Sequence, residues 1–134
     1  MSAEENMALA RRFMEARVKG DLDAMDEMMA PDFVSHTKLL PDQKPDREGE
    51  KWATAQFSAA VFVTHFTIED QIVQGNKVVT KFSMTSTHRG EFLGVAPTGR
   101  RIRTREFAVY QLRDDRIAEV WVAADNLSLL DQIR

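Results

Sequence analysis

Apolar residues recur at helical spacing in the first half of the chain and alternate with polar ones in the second. Met7, Ala10, Met14 and Val18, widened by Leu9 and Phe13, predict a helix over about residues 4–19 with one buried face, stopped by Gly20 in the left-handed conformation. Asp21 then suits the N-cap of a short helix carrying Leu22, Met25, Met28 and Met29, which Pro31 helps to end. The methionines read as core filling. The polar stretch 35–49, with Pro41 and Pro45, predicts a loop long enough to cover a site. A third helix over about 46–60 places Trp52, Ala55 and Ala59 on one stripe, beside Phe57 and Ala60.

From Val63 onward the period becomes that of strands, with turn chemistry at Gly75-Asn76, at 94–99 and at Asp114-Asp115. Strands are expected near 66–73, 77–88, 100–112 and 116–124, then a short helix carrying Leu127, Leu130 and Ile133. Helices followed by hairpin-linked strands predict an α+β domain with helices on one face of a curved antiparallel sheet. With no internal repeat, residues 1–134 read as a single domain.

Parity then sorts the strands into faces. Val78, Phe82, Met84, Ser86 and His88 share one side, as do Ile102, Thr104, Glu106, Ala108, Tyr110 and Leu112. These sets are expected to look inward, which makes Glu106 a carboxylate that must find a partner such as His88 or an arginine, or hold a proton. Trp121 and Ala123 share parity with Asp125, placing Asp125 at the rim of the same interior; it is equally suited to cap the last helix. His36 and His88 fit either a structural or a chemical role. Arg100, Arg101, Arg103 and Arg105 read mainly as a solvated outer face, where Phe107 and Val109 would form an apolar patch. The inward sets hold no clear arginine.

Composition narrows the chemistry. The absence of cysteine excludes thiolate nucleophiles, disulfides and iron–sulfur ligation. A formal charge of −3 argues against a nucleic-acid partner. No apolar run reaches the roughly 20 residues of a membrane span, and the acidic start Ser2-Ala3-Glu4-Glu5 is unlike a secretory signal, so a cytoplasmic location is expected. Gly94 to Arg101 has phosphate-loop glycine spacing without the Lys-Ser/Thr ending, and the serine-hydrolase elbow is missing. The three histidines show no metal-ligand spacing, so no metal site is supported.

The segment Thr87-His88-Arg89-Gly90-Glu91-Phe92-Leu93-Gly94-Val95-Ala96-Pro97-Thr98-Gly99-Arg100 resembles the strand-and-turn signature of SnoaL-like polyketide cyclases, within the nuclear-transport-factor-2-like superfamily. Gly20-Asp21-Leu22-Asp23-Ala24-Met25, Phe33-Val34-Ser35-His36 and Ile117-Ala118-Glu119-Val120-Trp121 with Asp125 extend the resemblance over nearly the whole chain. It implies a cone: a bent antiparallel sheet wrapped around N-terminal helices, enclosing an apolar pocket, in homodimers or homotetramers. It also implies cofactor-free intramolecular aldol chemistry, with the aspartate matching Asp125 as general acid/base. His88 joins Asp125 as a catalytic candidate; Trp121, Phe82 and Met84 would supply dry walls, and His36, Glu106 and Tyr110 further contacts to a small hydrophobic molecule. The strand over 100–112 departs from the cyclases in having no histidine, and Val122 stands where relatives are often acidic. Three other readings remain open: a non-catalytic binder of a small hydrophobic ligand, an epoxide hydrolase of the related type with carboxylates flanking an arginine, and a protein-partner module.

Overall fold

The computed structural model describes residues 2–134. Ser2 caps the first helix, α1 (Ala3–Lys19), through a capping box in which its side chain accepts from the Glu5 amide while Glu5 reaches back to the Ser2 amide. Gly20 ends α1 at φ 70°, which glycine adopts without Cβ strain. Asp21 caps α2 (Leu22–Met28) by accepting from the Ala24 amide, and Met25 and Met29 are fully buried.

The chain then departs from the expected pattern, because Pro31 lies inside a strand, β1 (Met29–Ser35). β1 is an edge strand, parallel to β5 (Arg116–Ala123), and its pairing is interrupted between Met29 and Val34, where a proline costs no ladder hydrogen bond. Asp46 caps α3 (Arg47–Ala60), whose buried positions are Gly49, Glu50, Ala53, Thr54 and Ala60. The expected stripe through Trp52, Ala55 and Ala59 is therefore displaced: Trp52 and Ala59 face outward. An amphipathic period on a helix this rich in alanine does not single out the face that has a partner.

α3 runs directly into β2 (Val61–Gln74), which starts earlier than its alternation predicts. Bulges at 63–65 and 68–70 break the period of two and hide the strand's first turns from sequence. β3 (Lys77–His88) and β4 (Arg101–Arg113) complete a five-stranded sheet of order β1-β5-β4-β3-β2, antiparallel except at β1. Asp114 and Asp115 both take positive φ in the β4–β5 turn, as a tight right-twisting hairpin requires. α4 (Asn126–Ile133) closes the chain.

The result is a mixed α+β fold with an open, curved sheet wrapped around helices. Val78, Phe82, Ile102, Ala108, Tyr110 and Leu112 are buried on the inner face, as their parity predicts. Two apolar clusters form. One packs Leu9, Phe13 and Met14 of α1 against Val78, Tyr110 and Ile117, and the other joins Leu40, Phe92 and Ile102 to Leu129 and Ile133 of α4. No helix among the described residues is long and apolar enough to cross a membrane.

Candidate functional site

Between the two clusters the core does not close. A cavity of about 110 Å³ lies there, walled by Met14, Val18, Phe57, Phe66, Phe82, Met84, Val122 and Leu129, with Arg17, Thr54, Glu106 and Asp125 as its principal polar groups. Phe82 and Met84 thus line it from β3, where parity puts them.

Glu106 projects from the inner face of β4, opposite Phe82 on β3. Burial pushes its carboxyl up from the ordinary glutamate value, and the positive charge of Arg17 opposes that only in part. Asp125 reaches the cavity by another route. β5 ends at Ala123, and Asp125 sits in the turn to α4, where its Oδ1 accepts from the Ser128 amide at 2.9 Å. It caps the helix and lines the cavity mouth at once.

Arg17 is the inward arginine that the strand faces lack. Its Nε lies 3.3 Å from Glu50 Oε1, and the two side chains are 17% and 3% exposed. Burial pulls the guanidinium pKa down, but the charges of Glu50, Tyr110 and Glu106 outweigh this and the net shift is upward. The sequence carried a signal for it: Ala10, Met14 and Arg17 stand at i, i+4 and i+7, so an arginine occupies an apolar-stripe position. Glu50 and Thr54 were missed because the stripe on α3 was assigned to the opposite side.

The loop following β1 covers this region. Leu39 lines the cavity, its carbonyl accepting from Asn126 Nδ2 at 2.8 Å, while Thr37 Oγ1 accepts from the Val122 amide at 2.8 Å. Leu40 is buried beneath it in the second cluster.

Four candidates lie outside the cavity. His88 is buried, but its Nδ1 accepts from the Thr98 amide at 3.1 Å, so the ring fixes the 89–99 excursion. Tyr110 is buried deeper, edge-on to Phe13 at 5.7 Å, beside Arg17 with no well-formed hydrogen bond. Trp121 corrects the parity assignment: a register shift at Gln111/Leu112 accompanies two successive buried residues, Ile117 and Ala118, and turns Val120 and Val122 inward. Trp121 pairs with Val109 on the outer face and stacks on His36 with centroids 4.4 Å apart, while His36 Nε2 lies 2.7 Å from Glu119 Oε1. Phe107 is exposed on the same outer face. Among the described residues no three His, Asp or Glu side chains are grouped to hold a metal ion.

The architecture recurs in solved structures. TsrD from Streptomyces laurentii superposes with a TM-score of 0.85 at 23% identity, covering 98% of this chain and 96% of that one. AclR from Streptomyces galilaeus, a candidate hydroxylase, gives 0.81 at 22% identity, covering 97% and 96%. IdmH from Streptomyces antibioticus, a candidate polyketide cyclase, gives 0.75 at 32% identity, covering 95% and 96%. Among curated proteins, none matches the chain. The profile of the SnoaL-like polyketide cyclases matches residues 8–133, and with nearly the whole sequence so covered, the chain belongs to the SnoaL-like polyketide cyclase family.

Proposed function

We propose that this protein is a cofactor-independent enzyme of cyclase or isomerase type, which removes a proton beside a carbonyl of an apolar substrate. The observation that carries the reading is that two carboxylates, Asp125 and Glu106, line one apolar cavity. Asp125 takes the proton from a carbon between two carbonyls, and the C–H electron pair becomes the enolate. The enolate carbon attacks a second carbonyl of the same molecule, forming the ring C–C bond. Glu106, whose burial favours its protonated form, supplies the proton to the new alkoxide. The two carboxyl groups return to their starting states by proton exchange at the open mouth. The side chain of Asp125 is already oriented by its cap, with Oδ2 left for substrate.

The test is turnover of a panel of polyketide-type β-keto esters and small ketosteroids. Asp125→Asn, which keeps the cap, is expected to lower turnover about a hundredfold or more with an unchanged melting temperature. Unaffected turnover removes Asp125 from the mechanism; saturable binding without turnover by the wild type favours a ligand-binding protein instead. A second reading, hydrolysis of an epoxide by carboxylate-activated water, is supported by Arg17 interacting with both Glu50 and Glu106. Diol formation from a small cyclic epoxide, lost in Glu106→Gln, would select it.

A further inference from the structure

Removal of a proton beside a carbonyl leaves negative charge on oxygen, and none of His36, His88 and Tyr110, the catalytic and contact candidates of the sequence that could donate a hydrogen bond, lines the cavity. We propose that Arg17 and Thr54 hold that oxygen, and that the ligand presents to them the anionic oxygen of an acidic 1,3-dicarbonyl group while its apolar body fills the rest of the cavity.

Both side chains line the cavity, from different helices. Glu50 and Thr54 are four residues apart on α3 and share one face, so the carboxylate that fixes Arg17 also places Thr54 near it. Two buried polar atoms here, Arg17 Nε and Thr54 Oγ1, have no hydrogen-bond partner, although Nε is within ion-pair distance of Glu50. Buried polar groups are mostly satisfied, and Thr54 Oγ1, without a partner on a residue that lines the cavity, is a donor that a ligand oxygen there can engage. The buried Tyr110 hydroxyl lies beside the same guanidinium and acts on its charge together with Glu50. Arginine has five donors in a planar fork, and Glu50 occupies one edge.

Charge selects the ligand. Glu50 neutralises Arg17, so the site does not collect anions at long range; it offers directed N–H and O–H groups between apolar walls, where hydrogen bonds to an oxyanion are stronger than in bulk water. A 1,3-dicarbonyl meets this requirement because its enolate is stable enough to form near neutrality and carries its charge on two oxygens. The alkyl walls from Phe66, Phe82 and Met84 accept the uncharged remainder.

This inference rests on the cavity's being a substrate site, and the experiment separates the two. Calorimetric binding is measured in mildly alkaline buffer for dimedone, present as its enolate, and for its neutral methyl enol ether. Wild type is expected to prefer the enolate about tenfold or more. Thr54→Val, which removes the unmet hydroxyl at constant shape, is expected to lower the preference severalfold without loss of melting temperature. Arg17→Gln combined with Glu50→Gln keeps the pair's net charge and is expected to abolish the preference, with enol ether affinity retained within about twofold. A preference absent in wild type, or surviving in the double variant, overturns the role of Arg17 and Thr54 while leaving the cavity as a ligand site. Binding of neither probe overturns both. An enolate preference with no acceleration of α-proton exchange in a β-keto ester upholds the oxyanion site and overturns the catalytic reading alone.

Discussion

Arg17→Gln alone tests how the cavity's inner end is held. Glu50 is 3% exposed and its nearest cation is Arg17, with 3.3 Å between Nε and Oε1. Removing the arginine leaves a carboxylate that must take up a proton or draw in water, and breaking a buried pair from one side costs about 3–5 kcal/mol. The adjoining cavity gives water a route to the carboxylate, which sets the expected loss for Arg17→Gln at the lower end, about 3 kcal/mol. Glu50→Gln leaves Arg17 with residual exposure beside the cavity, so about 2 kcal/mol is expected. With both changed, no charge is stranded, and the double variant is expected to lose about 2 kcal/mol, a coupling of about 3 kcal/mol. Urea denaturation read by the fluorescence of Trp52 and Trp121 measures all four proteins, and the larger single loss corresponds to a fall in melting temperature of roughly 12 °C. Single losses that add within about 0.5 kcal/mol would refute the claim that the two groups hold each other in the interior.

Glu106 gives a pH signature. Its folded-state pKa is raised by burial, so as pH rises from the ordinary glutamate value toward the folded value the unfolded chain loses its proton first and stability falls. Glu106→Gln removes that loss: the variant's stability relative to wild type should climb through this window and then level, and a flat difference curve from denaturation at stepped pH contradicts it. Gly20→Ala forces a residue with Cβ to φ 70° and brings that atom to 2.5 Å from Ser58 Oγ. The hydroxyl can turn away but the backbone strain cannot, so a loss of about 1–2 kcal/mol is expected in thermal unfolding, and an unchanged melting temperature would refute it.

The sequence made most of the frame legible where local chemistry agreed with tertiary context. The cap at Asp21, the stop at Gly20 and the inner faces of β3 and β4 all follow from spacing. β1 was hidden because its proline is tolerated only by an edge strand whose pairing is interrupted, which is a property of the neighbour β5 and not of the segment. Trp121 was misplaced because the register shift in β5 cannot be seen in an alternating string. Asp125 reached the cavity although the parity argument for it failed, since the chain leaves the sheet before that residue. Arg17 had a readable position on its helix, but only the packing of α3 against α1 supplies the Glu50 that makes an inward arginine stable.

The central claim is that Asp125, at this cavity, removes a proton beside a carbonyl. Its most direct measurement is solvent deuterium exchange at the carbon between the two carbonyls of a β-keto ester, followed by proton NMR with catalytic amounts of protein. Exchange accelerated by the wild type and reduced about a hundredfold or more in Asp125→Asn at unchanged stability is the predicted result. Exchange no faster than in buffer, or equally fast in both proteins, would contradict it.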